Sequence, residues 1–352
     1  MSSRNSRYLL RLATPEDSPA IGRVLESGGF PGKISVQFTR YPDPYRSYLN
    51  DGDELVMPVA VDRETGEIVA VGGCVLRQAY LDGEAAATGY LTGMKVLEEH
   101  RGGAVPIRDA YELIRGETQG RCSAYITTIL SGNMNAIRLL ENPRKGMPAY
   151  RFQGGYTVYC LGTGRNRRLP AGFRLVSSHS PEVAAFYREQ LPTYQFSPAD
   201  EWLHGIRGGD FHTLQSAGGE ILAACAVWNQ QDYKQYRITG YNTALRLLRR
   251  LPIRLLGYPV IPRENSYADY ASIALLAVRP DAARYAGDFL RAVTAAAGKY
   301  DFLMLGLMDD HPLSAKVQRL PHIKYQSRVY LVDYGEATAL DSMPFMLEVG
   351  LL

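Results

Sequence analysis

The sequence predicts an α/β (α+β) protein built from two copies of one fold, each a mixed central β-sheet flanked by helices. Three observations support this fold class. The chain has 352 residues, which is more than one domain usually contains. Its 46% hydrophobic and 21% charged residues are typical of a globular protein. The same order of strands and helices also occurs twice, at a spacing of about 165 residues, which indicates a domain duplication.

The composition and charge exclude several classes of function. A net charge of +3 is too balanced to indicate a nucleic-acid partner. No apolar run is long enough for a membrane-spanning helix, and the N-terminus lacks a secretory signal, so we expect a cytoplasmic protein. The cysteines lack C-x-x-C spacing and the histidines lack paired spacing, which predicts reduced thiols and no metal site. The four cysteines are Cys74, Cys122, Cys160 and Cys225.

The first repeat covers residues 1–162. It opens with a strand at 8–12 and a helix start at Thr14-Pro15-Glu16-Asp17, in which Thr14 is the expected N-cap and Asp17 returns the capping bond. A hairpin at 55–77 follows, with its turn at 62–66. Later patterns predict a strand, loop and helix at 88–114, a strand, turn and helix at 123–141, and a closing strand at 156–161.

The second repeat, residues 173–335, follows the same order after an exposed linker at 163–172. A strand at 173–176 leads to a helix start at Ser180-Pro181-Glu182. The remaining counterparts are a hairpin at 211–229, a strand and helix at 270–293, a strand and short helix at 300–320, and a closing strand at 328–334.

A loop typical of anion binding follows the strand at 88–97. It contains Arg101-Gly102-Gly103, and a helix is expected to begin near Pro106. Backbone N–H groups at such a helix start, together with the helix dipole, favour a bound phosphate.

The order of elements, this loop and the motif N-x-x-A from Asn133 to Ala136 resemble the GCN5-related N-acetyltransferase (GNAT) superfamily. The resemblance covers nearly the whole chain as a tandem pair. In that family the loop wraps the pyrophosphate of acetyl-CoA, and the preceding strand holds the pantetheine arm and the acetyl carbonyl. The resemblance therefore implies acetyl-CoA as co-substrate and no metal. The cofactor-binding residues that it implies are Met94, Lys95, Val96, Arg101, Gly102, Gly103, Ala104, Val105, Ile107 and Asn133.

Three positions depart from the family pattern. Ala104 stands where the family has a glycine, and Pro106 where it has glycine or alanine. Leu140 stands where the family commonly has the tyrosine that returns a proton to the leaving thiolate. The candidates for a replacement acid, which the sequence does not rank, are Tyr125, Tyr150 and Tyr156. For the base, Glu99 is a candidate, although Glu98 and Glu99 also fit a solvated turn.

The second repeat departs further from the family pattern. Its loop at 282–287 lacks a glycine pair, and Asp281 and Asp288 flank the position that a phosphate would take. Like charges there oppose anion binding. We therefore expect the second repeat to have lost the cofactor.

The segment 28–53 is expected to cover the acceptor site. Tyr41, Tyr45 and Arg46 are the candidate substrate-binding residues, joined by Arg40 and Tyr48. Aromatic and arginine side chains on a loop suit a ligand with a planar or acidic group. An ordinary capping loop with half-buried tyrosines fits the pattern equally well. The expected acceptor is an amine, on a small molecule or a peptide.

An insertion at 233–267 has no counterpart in the first repeat. Within it, 241–256 combines leucines with arginines and is interrupted by Pro252. This pattern fits either a peripheral contact with a partner or membrane, or a helix that covers the junction of the two repeats. The tail at 336–352 ends in an apolar run, which we expect to dock on the protein, as a strand.

Two hypotheses for function follow from the sequence. The first is an acyl-CoA-dependent N-acyltransferase that moves an acetyl group directly from acetyl-CoA to a primary amine, active in the first repeat. The second is a catalytically silent tandem protein that binds a ligand or partner. The second is favoured by Ala104, Pro106 and Leu140, and a fold alone does not decide between them.

Overall fold

The computed structural model describes residues 7–28, 34–102, 105–142, 145–164, 169–249, 251–335 and 340–352, with the backbone alone for Leu248. The strands are β1 (Tyr8–Leu12), β2 (Ile34–Thr39), β3 (Glu54–Val56), β4 (Pro58–Asp62), β5 (Ile68–Leu81), β6 (Glu84–Val96), β7 (Ala124–Leu130), β8 (Ala149–Gly162), β9 (Phe173–Val176), β10 (Phe211–Ser216), β11 (Ile221–Trp228), β12 (Gln235–Tyr241), β13 (Tyr270–Val278), β14 (Phe302–Met308) and β15 (His322–Asp333). The α-helices are α1 (Ser18–Glu26), α2 (Pro44–Leu49), α3 (Ile107–Thr118), α4 (Met134–Glu141), α5 (Pro181–Gln190), α6 (Thr243–Leu248), α7 (Ala286–Ala296) and α8 (Ser314–Val317). Short 3₁₀ turns lie at Pro15–Asp17, Glu98–His100, Leu191–Thr193, Gly208–Asp210, Ile253–Leu256, Pro280–Tyr285 and Val349–Leu351.

Both predicted helix starts have the expected caps. The Asp17 carboxylate accepts a hydrogen bond from the backbone N–H of Thr14 at 2.8 Å, and Ser180 Oγ accepts one from the N–H of Val183 at 3.4 Å. At the first start, the residues after Thr14 form a 3₁₀ turn and α1 begins only at Ser18. Side-chain acceptors at these positions satisfy N–H groups that have no partner inside the helix.

The two repeats share one sheet. Its order is β1-β4-β5-β6-β7-β15-β8-β14-β13-β11-β10-β9, with β3 beside β5. The closing strands are exchanged: β15 of the second repeat pairs with β7 of the first, and β8 of the first repeat pairs with β14 of the second. β15 and β8 also pair with each other at the centre. The exchange joins both repeats through backbone hydrogen bonds, so neither repeat completes its sheet alone.

Helices cover both faces of the sheet in each repeat, as predicted. In the first repeat, Ile21 and Val24 of α1 pack on one face, while Tyr111 of α3 and Ile137 of α4 pack in a separate cluster. In the second repeat, α5 and α7 likewise belong to separate buried clusters. A two-stranded sheet of β2 and β12 lies outside the main sheet and connects the two repeats.

The linker and the tail depart from expectation in part. Gly164 and residues 170–172 of the linker are exposed, but its first residue, Thr163, is buried and its hydroxyl donates to the carbonyl of Tyr300. The prediction that the tail forms a strand is wrong for its described part, 340–352. That part makes a single bridge, between Phe345 and Gln195, and ends in a 3₁₀ turn. Nevertheless its apolar side chains from Met346 to Leu351 are buried.

Candidate active site

The first repeat contains an opening between β6 and β7. The two strands are parallel, and only Thr88–Tyr90 of β6 pair with Ala124–Ile126 of β7. Beyond these residues the two strands do not pair with each other. On the other side of β6, the register with β5 shifts between Val71 and Gly73. This bulge bends β6 away from β7, since an extra residue in one strand interrupts the ladder and increases the local twist.

Gly93 makes the bulge possible. Its φ is +67°, and a Cβ there would lie 2.5 Å from the Tyr48 hydroxyl. Only glycine suits a backbone that is both left-handed and this close to another side chain. Burial raises the pKa of Tyr48, which packs under the strand. The bulge is thus supported from below by α2.

The two residues after Gly93 present different groups. The Met94 side chain is exposed and lies on the α3 face, where its Sδ is 3.8 Å from the Tyr111 hydroxyl. The Lys95 ammonium turns to the end of α1 and donates to the carbonyls of Leu25 and Gly28. Burial lowers the pKa of Lys95 to about 8. The Lys95 side chain therefore ties α1 to β6, which leaves only its backbone for the binding role implied by the resemblance.

The loop after β6 leads into α3. Arg101 is exposed, and its Nε donates to the carbonyl of Val96 at 3.2 Å, so the guanidinium folds against the end of β6. Gly102 has a φ of +79°. Gly103 and Ala104 lie outside the described residues. Val105 and Pro106 follow, with Pro106 as the N-cap and Ile107 as the first helical residue, one position later than expected. The N-terminus of α3 thus lies at the open end of β6, where it favours an anion.

Asn133 has a structural role at the start of α4. Its side-chain oxygen accepts a hydrogen bond from the N–H of Ala136 at 3.2 Å, which makes it the N-cap. Leu140, at the position of the missing family tyrosine, is buried among Tyr111, Ile114 and Ile137. No hydroxyl is therefore provided from this point of α4.

The structure separates the candidate acids. Tyr150 Oη lies 2.5 Å from Tyr111 Oη, which contacts Met94, so Tyr150 is connected to β6 through one intervening hydroxyl. Burial raises the pKa of Tyr150 well above its usual value. Tyr125 instead lies 2.7 Å from the Thr118 hydroxyl near the end of α3, and burial raises its pKa to about 12. Tyr156 donates to the carbonyl of Leu347 in the tail. Glu99 is exposed in the 3₁₀ turn 98–100.

The segment expected to cover the acceptor site forms β2, α2 and their connections. Tyr41 is exposed and donates to Glu26 at 3.1 Å, and Gln235 of the second repeat bonds both its N–H and its carbonyl. Tyr45 is half-buried beside α1. Arg46 is largely exposed and lies 3.5 Å from Asp43. Tyr41 and Tyr45 thus lie along the cover, whereas Arg46 points to solvent.

A buried ion network connects this cover to the second repeat. Arg40 lies 2.8 Å from one oxygen of Asp51, and the Lys234 ammonium lies 2.7 Å from the other. All three side chains are buried. Burial lowers the pKa of Lys234 to about 7, although the Asp51 carboxylate opposes this shift. Lys234 also donates to the carbonyl of Gly350, so the network reaches the tail. Arg40 was predicted as a ligand contact, but it stacks over Tyr48 at 3.6 Å and is enclosed by the protein.

The second repeat has a matching opening, and the tail lies in it. β13 and β14 are parallel, and only Tyr270–Ser272 of β13 pair with Phe302–Met304 of β14. On its other side, β13 has a register shift in its pairing with β11. Leu275, beyond the paired part, has a φ of +55°. Its N–H donates to the Glu348 carboxylate of the tail at 2.9 Å. The walls of the opening and residues 345–348 leave a cavity of about 10 Å³, room for about one water molecule.

The loop of the second repeat is also unlike that of the first. Residues Pro280–Tyr285 form a 3₁₀ turn, and the Asp281 carboxylate pairs with Arg279 at 2.7 Å. This pair lowers the pKa of Asp281, which favours its anionic form at the position where a phosphate would need donors. Asp288 pairs with Arg291 at 2.6 Å.

Sequence reasoning missed Asp51, Tyr111, Lys234 and Glu348. Glu348 carried the clearest signal, because it is the only charged residue in the apolar run 343–352 and a buried charge requires a partner. Lys234 and Asp51 belong to different repeats, so no local pattern connects them. Tyr111 lies on the buried face of α3, and its hydroxyl contact with Tyr150 joins two separate elements, so no local pattern indicates it.

Comparisons with solved structures identify the fold. A GCN5-related N-acetyltransferase from Sphaerobacter thermophilus matches with a TM-score of 0.57 at 16% identity, over 94% of this chain and 98% of that one. Saccharomyces cerevisiae N-myristoyltransferase with bound myristoyl-CoA matches with a TM-score of 0.56 at 9% identity, over 93% and 83%. The GCN5-related glucosamine N-acetyltransferase region of a fungal multi-domain β-N-acetylglucosaminidase gives a TM-score of 0.63 at 12% identity, over 94% and 38%.

The sequence itself matches no protein-family model and no curated protein. At identities this low, the likeness to solved structures establishes the fold alone. It covers nearly the whole chain, including both repeats. The chain therefore has the tandem fold of the GCN5-related N-acetyltransferases, in a two-domain arrangement that resembles N-myristoyltransferase.

Proposed function

We propose that this protein is an acyl-CoA-dependent N-acyltransferase that transfers an acetyl group from acetyl-CoA to a primary amine in its first repeat. One observation carries the proposal. Strand β6 separates from β7 after Tyr90, bulges at Gly93 and leads through Arg101 and Gly102 to the N-terminus of α3. The backbone N–H groups of β6 suit the thioester arm, and the Arg101 guanidinium and the N-terminus of α3 suit the pyrophosphate.

The second repeat acts as a wall of the site and does not bind a second acyl-CoA. The matching opening holds residues 345–348 of the tail, and the Leu275 N–H already bonds Glu348. Asp281 and Asp288 hold Arg279 and Arg291 in ion pairs, so these nearby arginines already have anionic partners where a pyrophosphate would need them. These contacts support the first repeat as the active one.

The reaction is direct transfer. The amine nitrogen attacks the thioester carbon, its carbon–sulfur bond breaks, and the thiolate of CoA leaves and takes up a proton. N–H groups of Met94 to Val96 are the donors proposed for the carbonyl oxygen as negative charge develops on it. Alignment of the amine and the thioester in the opening supplies much of the rate.

Tyr150 is the residue we propose to assist the leaving thiolate, acting through Tyr111. The Tyr150 hydroxyl is protonated at neutral pH, as tyrosine hydroxyls ordinarily are, and it is joined to Met94 through the Tyr111 hydroxyl. Tyr125 and Tyr156 bond to Thr118 and to the tail, respectively, which favours structural roles for them. Glu99 remains the candidate base on β6's exit loop, where it is exposed to water.

The acceptor enters under the cover formed by 34–51. Tyr41 and Tyr45 are the residues proposed to contact it, because they lie along this cover and Tyr41 is exposed. An amine on a small molecule or a peptide fits this proposal.

An assay of released CoA thiol tests the proposal. The purified protein is incubated with acetyl-CoA and a panel of amines, amino acids and peptides, and separate reactions contain myristoyl-CoA. Amine-dependent release with acetyl-CoA is the expected result. Release only with myristoyl-CoA would refute the acetyl group, and tight CoA binding without release to any amine would favour the silent, ligand-binding alternative.

A further inference from the structure

A cluster of leucines on the insertion of the second repeat is exposed. Leu247 of α6 is 59% exposed, and Leu251, between α6 and the 3₁₀ turn 253–256, is 59% exposed. Leu255 and Leu256 in that turn are 73% and 65% exposed. We call these four residues the leucine patch. Exposed large apolar side chains are ordinary when scattered, but four within ten residues are not.

The same segment is anchored to the protein by other side chains. Ile253 and Ile261 are buried in a small cluster with Ile238 and Tyr241, and Leu245 packs against that cluster. Ile34 and Val36 of the first repeat pack against the same cluster, so these anchoring side chains lie where the two repeats meet. The leucine patch points the other way, and the anchor holds it in place.

The charges around the leucine patch are positive. The described residues of 237–264 include five exposed arginines and one acidic residue, Glu264, which pairs with Arg246 at 2.8 Å. The arginines are Arg237, Arg246, Arg249, Arg254 and Arg263. One carboxylate outside the segment, that of Asp301, attracts Arg254; burial raises the pKa of Asp301, and this attraction opposes the rise. The excess of cations favours an anionic partner.

An exposed tyrosine follows the leucine patch in the chain. Tyr258, separated from the 3₁₀ turn by Gly257 alone, is 39% exposed. Tyrosine suits a boundary between apolar and aqueous phases, because its ring is apolar and its hydroxyl is polar. None of the described helices is long and apolar enough to cross a membrane.

We propose that the leucine patch docks this protein on the surface of an anionic lipid bilayer. The leucines enter the boundary between headgroups and acyl chains, and Arg246, Arg249 and Arg254 contact the acidic headgroups. The arginines decide between a lipid and a second copy of the chain, because two copies of this patch would bring the same cations together. The inference does not depend on the proposed acyl transfer.

Vesicle sedimentation tests the inference with the full chain. Vesicles of phosphatidylcholine alone are compared with vesicles that contain about 30% phosphatidylserine. The wild type is expected to sediment with the phosphatidylserine vesicles at about 0.1 M salt and to be released at about 0.5 M. The double variant Leu255→Ser/Leu256→Ser is expected to bind at least about tenfold more weakly, because it removes two apolar contacts.

A matched control uses other exposed leucines. Leu9 and Leu12 of β1 are 40% and 36% exposed, and Leu9→Ser/Leu12→Ser is expected to bind the vesicles as the wild type does. Absence of wild-type binding, or equal binding by both double variants, would overturn the inference. Equal binding of the wild type to vesicles with and without phosphatidylserine would also overturn it. A wild-type dimer in sedimentation velocity that Leu255→Ser/Leu256→Ser dissociates, without vesicle binding, would assign the patch to a second copy instead.

Discussion

The Glu348 carboxylate accepts a hydrogen bond from the backbone N–H of Leu275 at 2.9 Å, inside the opening between β13 and β14. Leu275 lies in β13, the bulged strand of the second repeat. The tail therefore occupies a backbone N–H group that a thioester arm bound there would need as a hydrogen-bond donor. Burial raises the pKa of Glu348 from 4.5 to about 7, and the Leu275 N–H and Arg77 oppose the shift only in part. This contact therefore has a consequence for stability as well as for ligand binding.

Glu348 makes the protein less stable as the pH rises from about 4.5 to about 7. In this range the unfolded chain has lost the Glu348 proton and the folded chain still holds it, so each pH step favours the unfolded state. The variant Glu348→Gln removes this dependence, because its amide stays neutral. We expect Glu348→Gln to match the wild type in unfolding free energy near pH 4.5 and to exceed it by about 3 kcal/mol above pH 7.

Urea unfolding at several pH values between 4.5 and 8 measures this effect. Glu112→Gln is a matched control, since Glu112 is exposed on α3. A difference between Glu348→Gln and the wild type that stays constant with pH would show that Glu348 does not hold a proton in the folded state.

Asp51 lies between two buried basic side chains, Arg40 and Lys234, and removing its charge leaves Arg40 without a counter-ion at every pH and Lys234 without one below its pKa of about 7. We expect Asp51→Asn to lower the unfolding free energy by about 3–5 kcal/mol. Lys234→Met, which removes one cation and keeps the chain length, is expected to cost less. The exposed Asp53→Asn serves as the control. If Asp51→Asn unfolds at the wild-type urea concentration, the network does not stabilise the junction.

Asn133 caps α4, and this role can be separated from a role in binding acyl-CoA. We expect Asn133→Ala to lower the unfolding free energy by about 1 kcal/mol and Asn133→Asp to restore it, since both Asn and Asp accept the capping hydrogen bond. If capping is the whole role, Asn133→Asp also keeps the wild-type affinity for acetyl-CoA. A folded, stable Asn133→Asp that loses affinity would instead show that the amide or its neutrality contacts the co-substrate.

Tyr150 and Tyr111 share a hydroxyl contact that leads to β6. Once an amine acceptor is known, we expect Tyr150→Phe and Tyr111→Phe to lower kcat by about 10–100-fold with little change in KM for acetyl-CoA. Tyr125→Phe should keep the wild-type kcat, because its hydroxyl contacts Thr118. Melting temperatures check that the variants fold. Loss of activity in Tyr125→Phe alone would reverse the assignment.

Much of the fold could be predicted because its signals are local. The helix starts at Thr14 and Ser180 carry their own caps, and the order of strands repeats in the sequence. The exchange of β8 and β15 could not be predicted, since each strand has the same alternating pattern whichever neighbour it pairs with.

The candidate site was predictable only where it depends on the backbone of one strand and loop. The loop 101–107 was identified by its glycines and by the helix that follows, and Met94 to Val96 were implied by the family resemblance. The contacts of Asp51 with Lys234, and of Glu348 with Leu275, join residues far apart in the chain. Their partners are set by the packing of the two repeats, which no local pattern encodes. Likewise, the sequence proposes Tyr125 and Tyr150 alike as acids, and only the structure distinguishes them by their hydroxyl partners.

Calorimetric titration with acetyl-CoA tests most directly whether the first repeat alone binds the co-substrate. Arg101→Ala, in the loop before α3, is compared with Arg284→Ala, in the corresponding loop of the second repeat, where Arg284 is exposed and lies over the Tyr285 ring. We predict one site per chain, an affinity about tenfold lower in Arg101→Ala, and no change in Arg284→Ala. Two sites per chain, or an affinity that falls only in Arg284→Ala, would contradict the account.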